Sequence, residues 1–180
     1  MKLLRALLLA CAAIGSAHAQ QDWGLLHNGA IVLFRHAIAP GIGDPPGMKL
    51  GDCSTQRNLS EEGRSQALRI GQQFRSRNIF VGRVLASQWC RTGETARLAF
   101  GSEVREQEVF NSFFGEPDQS PAQTRAAMAV LNAWKGPGVL VVVTHQVNIT
   151  ALSGVVPASG EGIIVKLGSG RLQVLGRIQP

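Results

Sequence analysis

Apolar positions along this chain fall in short blocks separated by glycine-rich and polar stretches. Ala30–Phe34 (AIVLF) is apolar throughout, which predicts a strand buried on both faces. Ala37–Asn58 is rich in Gly, Pro, Asp and Ser and has no apolar periodicity, so it is read as a long loop. Ser60, followed by Glu61 and Glu62, predicts a capped helix start, which Ala67, Ile70 and Phe74 continue at helical spacing. Val84–Ser87 is read as a second strand, Thr92–Phe100 as a helix and Glu106–Phe110 as a third strand. Pro121–Trp134 reads as a helix with a proline in its first turn. Val139–Thr144 (VLVVVT) carries the strongest strand pattern, and Asn148 opens a short helix that ends near Gly154. Ile163–Leu167 and Leu172–Ile178 flank Gly168-Ser169-Gly170 and predict a terminal hairpin. Alternating strands and helices imply an α/β fold with a mostly parallel sheet covered on both faces.

Composition sharpens this picture. The 180 residues are 44% hydrophobic and only 17% charged, which suits one folded domain and argues against disorder. The first nineteen residues stand apart. Lys2 and Arg5 precede a short apolar core, Ala6–Ile14, and Ala17-His18-Ala19 ends it with small residues at both recognition positions. That is the layout of an export signal, too short to remain as a membrane anchor, so residues 1–19 are read as a signal peptide and 20–180 as the domain. A periplasmic or secreted protein is the expectation. Cleavage removes Cys11 and lowers the formal net charge from +6 to +4. Cys53 and Cys90 remain, in a compartment that permits disulfides, and are read either as a bridge or as two buried thiols. The basic residues are dispersed, with no Lys/Arg run or aromatic stacking motif, which excludes the nucleic-acid reading that a pI near 10.0 invites.

Ligands of such sheets bind beyond the carboxyl ends of the strands. The first strand runs into Arg35-His36, the second into Ser87–Thr92 with Arg91, and VLVVVT into His145. Two imidazoles and two guanidiniums therefore meet at one sheet edge, and they need a counter-charge. Arginine forks fit phosphate oxygens. A histidine close to arginines stays neutral and nucleophilic, so the group suits covalent phosphoryl transfer.

LFRHA (Leu33–Ala37), NLSEEGRSQA (Asn58–Ala67), SQWCRTGETA (Ser87–Ala96) and VVVTHQVNITALSG (Val141–Gly154) together resemble the histidine phosphatase superfamily, the phosphoglycerate mutase-like family. The resemblance implies a three-layer α/β/α sandwich, no metal or other cofactor, and a small phosphorylated substrate. It implies His36 as the nucleophile, Arg35 and Arg91 as phosphate ligands, and His145 as a further phosphate contact that stabilises the transition state. It extends towards small exported members acting on sugar phosphates of the cell envelope.

The chain departs from the family pattern at the general acid. An ungapped reading places Asn111 where mutase-like members carry a glutamate, and Gln146 follows the second histidine where another branch has aspartate. A mutase is therefore disfavoured, and Glu116, with Asp118 behind it, is the nearest candidate acid. Arg57 and Asn58 are read as residues that precede the Ser60 cap rather than as pocket lining, and Trp89 as packing. Gly41–Gly51 is read as a substrate loop or a plain surface loop. Two other functions stay open: a non-catalytic anion-binding protein using the same pocket, and a phosphohistidine phosphatase.

Overall fold

The computed structural model describes residues 22–180; the predicted signal peptide lies outside the described residues. The strands are β1 (Ile31–Arg35), β2 (Val81–Ala86), β3 (Val104–Glu106), β4 (Val139–Thr144), β5 (Gly162–Lys166) and β6 (Gln173–Ile178). The helices are α1 (Glu61–Ser76), α2 (Cys90–Phe100), α3 (Ser120–Asn132) and α4 (Gln146–Ser153). One six-stranded sheet runs in the order β3-β2-β4-β1-β5-β6. It is parallel across β3-β2-β4-β1 and antiparallel across β1-β5-β6, so β5 and β6 form the predicted C-terminal hairpin.

Alternation along the strands builds two cores. Val32, Phe34, Val141 and Val143 face α1 and α2 through Ile70, Phe74, Ala96 and Ala99. Ile31, Leu33, Leu140 and Val142 face α3 and α4 through Ala127, Leu131, Ile149 and Leu152. The molecule is thus a three-layer α/β/α sandwich. β4 is buried at every position because it lies between neighbours and under helices on both faces, which is why it reads as an unbroken apolar run.

Ser60 caps α1 as expected, its Oγ accepting from the Gly63 amide at 3.1 Å. Gly63 is required by close approach: a Cβ there would lie 2.0 Å from the Ile38 carbonyl oxygen. Helix α1 thereby rests directly on the chain that leaves β1.

Several predicted boundaries shift. The third strand is Val104–Glu106 rather than Glu106–Phe110. After three rungs beside β2 the chain turns through a 3-10 helix, Glu108–Phe110, which drops Phe110 into the core. β2 starts at Val81, its onset hidden in the sequence by the irregularity between Val81 and Arg83. α2 begins at Cys90 rather than Thr92, and α4 at Gln146 rather than Asn148, with His145 as its N-cap residue.

Cys53 and Cys90 are joined by a disulfide, with their Cα atoms 5.7 Å apart. It fastens the long 37–58 loop to the first residue of α2. Cross-linking across 37 residues stabilises by about 3–4 kcal/mol through the unfolded chain. The double variant Cys53→Ala/Cys90→Ala is therefore expected to lose about that much unfolding free energy in urea, and reductant is expected to bring the wild type to the same midpoint. A midpoint that moves with neither change would refute this.

Candidate active site

The sheet order gathers the site. β1 and β4 are adjacent and parallel, with Arg35 opposite Thr144, so the residues that follow them, His36 and His145, emerge side by side. The His36 amide donates to the Thr144 carbonyl at 2.9 Å, and the two rings lie 5.6 Å apart between centroids. β2 flanks β4 on its other side and delivers Ser87 to Arg91 to the same edge. Arg35, His36, Arg91 and His145 line one pocket of about 890 Å³. The structure thus brings together the four residues that the strand ends single out.

Both imidazoles are buried. His36 Nδ1 lies 2.7 Å from the Ala37 carbonyl oxygen. A carbonyl can only accept, so Nδ1 carries the proton and Nε2 keeps its lone pair. Burial is the main force lowering the His36 pKa to about 3. The Ala37 hydrogen bond opposes it, and the charges of Arg91, Arg35 and Arg57 add to it. Burial, then His36 and the same arginines, also hold His145 well below its ordinary value. Ser87 Oγ accepts from the Trp89 amide at 3.2 Å and lies 2.8 Å from His145 Nε2. This bond fixes the orientation of the His145 ring against the end of β2.

Two residues that the sequence reading did not select complete the floor. Asp44, from the glycine-rich loop, accepts from Arg91 Nη1 at 2.7 Å and Nη2 at 3.0 Å. It also accepts from the Arg57 amide at 3.1 Å and Trp89 Nε1 at 3.0 Å. Burial alone would raise its pKa, but these bonds outweigh burial and hold the carboxyl below its usual value. Arg57 lines the pocket, contrary to the expectation that it only precedes the helix cap, and its Nε donates to the Gly43 carbonyl at 2.6 Å. Asn58 turns away to the Cys53 and Gln56 carbonyls. Trp89 does more than pack, since it lines the pocket, edges onto His145 and holds Asp44. The counter-charge expected from phosphate alone is thus supplied in part by Asp44.

Asp44 takes both terminal nitrogens of Arg91, and Arg91 Nε is buried with no hydrogen-bond partner. Arg35 Nε is also buried without a partner, while its Nη1 donates to the Pro157 carbonyl at 3.1 Å. Buried donors left unpaired cost about 1–3 kcal/mol each, so both guanidiniums are held here against a local penalty. At the floor of the pocket, with Glu116 left at the rim, three guanidiniums, one carboxylate and two neutral imidazoles leave two net positive charges, matched to a dianion.

Among the candidate acids, Glu116 lines the pocket at its exposed rim and its carboxylate accepts from Gln119 Nε2. Asp118 is exposed in the following turn. Asn111, at the glutamate position of the motif, is a fastener: Oδ1 accepts from the Gln88 amide at 2.9 Å and Nδ2 donates to Gln88 Oε1 at 2.8 Å.

Replacing Asp44 with asparagine raises the site's net charge by one. One charge about 7 Å from a dianion is worth about 5 kcal/mol at an effective dielectric near 20, against about 1–2 kcal/mol for the lost ordering of Arg91. Asp44→Asn is therefore expected to bind inorganic phosphate at least about 10-fold more tightly by calorimetry. Weaker binding would show that orientation outweighs charge.

The imidazoles also make stability depend on pH. Their pKa values are lower in the folded protein than the ordinary 6.5, so below that pH protons favour the unfolded chain. Stability is full above about pH 6.5 and falls as pH drops towards 3, by up to about 1.4 kcal/mol per pH unit for His36. Urea unfolding between about pH 4.5 and 7 is expected to show a shallower decline for His36→Gln than for the wild type. Parallel profiles would count against a neutral His36.

No protein-family model and no curated protein matches the sequence. Solved structures do. The protein histidine phosphatase SixA complexed with tungstate aligns at a TM-score of 0.56 and 15% identity, over 84% of this chain and 97% of that one. A phosphoserine phosphatase mutant from Entamoeba histolytica in complex with phosphoserine gives 0.58 and 14%, over 82% and 95%. A protein from Thermus thermophilus, TTHB049, gives 0.59 and 17%, over 84% and 99%. The three-layer architecture described above is thus shared with these three proteins, and the chain spans nearly the full length of each.

Proposed function

We propose that this protein is a histidine-type phosphatase that hydrolyses a small phosphomonoester through a phosphohistidine on His36. The observation that carries the reading is the state of His36. Its only N–H is committed to the Ala37 carbonyl, so the ring turns a lone pair, not a donor, towards a pocket built for an anion. A lone pair facing phosphate oxygens weakens simple binding and suits attack on phosphorus. This favours catalysis over the anion-binding reading.

In this proposal Arg35, Arg57 and Arg91, which line the pocket, hold the dianion. His36 Nε2 attacks in line. His145, oriented by Ser87, stabilises the oxygens as charge shifts onto them. Water then cleaves the phosphohistidine. SixA with tungstate, a tetrahedral oxyanion, and the Entamoeba enzyme with phosphoserine support a phosphoryl group in this pocket. We further propose that the protein is exported. The signal-like first nineteen residues and the Cys53–Cys90 bridge both suit an oxidising compartment.

Rapid-quench labelling with phenyl phosphate is expected to trap an acid-labile phosphoenzyme in the wild type and none in His36→Ala. The variant is expected to lose on the order of 10³-fold or more in turnover. A phosphoenzyme that persists in His36→Ala, or never forms in the wild type, would overturn the mechanism.

A further inference from the structure

We infer that the substrate of this site is an aryl phosphomonoester, a phosphoryl group on a phenolic oxygen whose ring lies on the apolar mouth of the pocket. The inference rests on the phosphatase reading and adds what the leaving group is.

The first observation is the mouth. Above the guanidinium floor the wall is Ile42, Pro45, Met48, Leu50 and Phe114. Ile42 is 90% exposed, Phe114 57% and Leu50 47%. Large apolar side chains held in water around a single opening mark a binding surface. Phe114 stands against the loop tip: a Cβ on Gly43 would lie 3.9 Å from its ring. A flat ring fits such a wall. A polyhydroxylated sugar would lose water from each hydroxyl against this wall, where the lining adds the polar side chains of Ser112, Gln146 and Glu116 to those of the floor.

The second observation is independent and concerns the proton. An alkoxide leaves phosphorus readily only when an acid protonates it, an effect worth about 10²–10⁴-fold. Two carboxyl groups line the pocket. Asp44 is held as a carboxylate by two bonds from Arg91 and faces the phosphate floor. Glu116 stands in water at the rim, engaged by Gln119. Asn111 occupies the third candidate position and is bonded to Gln88 on both amide atoms. With Asp44 committed to Arg91 and Asn111 in place of an acid, Glu116 at the rim is the one lining carboxyl left for the leaving group, so the arrangement favours a leaving group that depends less on an acid, as a phenol of pKa about 10 does beside an alcohol.

The step balances without further reagents. The His36 Nε2–phosphorus bond forms as the phosphorus–oxygen bond to the ring breaks. The electron pair leaves on the phenolate, which takes a proton from solvent, and the Nδ1 proton stays in its bond to Ala37. Water then gives up its oxygen to phosphorus, releases inorganic phosphate and a proton, and restores the Nε2 lone pair.

The test measures kcat/KM and phosphoenzyme yield on the full-length oxidised protein. Substrates are a series of substituted phenyl phosphates, glycerol 3-phosphate, glucose 1-phosphate and phosphoramidate. Phenyl phosphates are expected to exceed both alkyl substrates by at least about 10²-fold, with rate falling steadily as the phenol pKa rises. Ile42→Ser/Phe114→Ser, at exposed positions, is expected to raise KM about 10-fold for phenyl phosphate and leave phosphoramidate unchanged. Glucose 1-phosphate matching phenyl phosphate, with phosphoenzyme still formed on His36, would overturn the inference alone. Phosphoramidate exceeding phenyl phosphate would do the same and point to a nitrogen–phosphorus bond. Failure of every substrate to label His36 would instead remove the phosphatase reading beneath it.

Discussion

Repulsion among basic groups is the constraint on which this end of the molecule depends. Three guanidiniums and two imidazoles converge where β1, β2 and β4 end. Two like charges about 6 Å apart cost about 3 kcal/mol even at an effective dielectric near 20, so five together would not fold as a fully charged set. The protein answers in two ways. It keeps both imidazoles neutral by burying them, and it seats Asp44 against Arg91. The charge that remains is about what a phosphate monoester dianion neutralises. The same arrangement leaves His36 neutral with a lone pair on Nε2, so the solution to a folding problem and the requirement of the proposed chemistry are one feature.

The path of the chain explains why this works only as an assembled whole. The strands supply Arg35, His36, Ser87 and His145 from rigid positions whose register is set by the core. Asp44 and Arg57 come instead from the long loop, which adds little to either core. Its order comes from polar and covalent ties: Arg57 to the Gly43 carbonyl, Gln56 Oε1 accepting from the Cys90 amide, Asp44 to Arg91, and the disulfide. Three of these end on residues 90 and 91. The turn entering α2 is therefore both the anchor of the loop and the carrier of Arg91, the proposed phosphate ligand.

What could be read in the sequence follows from this division. The strand ends were legible because buried parallel strands appear as apolar runs, and the residue after each run must lie at the sheet edge. Arg35, His36, Arg91 and His145 followed directly. Asp44 and Arg57 were not legible, since their stretch has no periodicity and a loop gives no rule for where its side chains return. The one local signal was Asp44 set between Gly43 and Pro45 in a loop that had to cross the ligand edge. The third strand was misplaced for a related reason. Val109 and Phe110 are apolar, as strand residues are, but Phe110 fills the core beneath β4 from a 3-10 turn, its carbonyl accepting from Thr144 Oγ1 at 2.7 Å. Burial and strand pairing leave the same mark in a short apolar run.

The loop's polar attachment also bears on how the site meets its ligand. An apolar contact holds a segment regardless of what enters the pocket. The Asp44–Arg91 pair does not, because an arriving dianion draws on the same guanidinium and repels the same carboxylate. Substrate charge and loop position are thus coupled through Arg91. Ile42, Met48 and Leu50 ride on the same segment, so any displacement of Asp44 carries the apolar wall with it. The bond between Cys53 and Cys90 limits that movement at one end of the loop, and Arg57 limits it at the other side by gripping the Ala39 and Gly43 carbonyls.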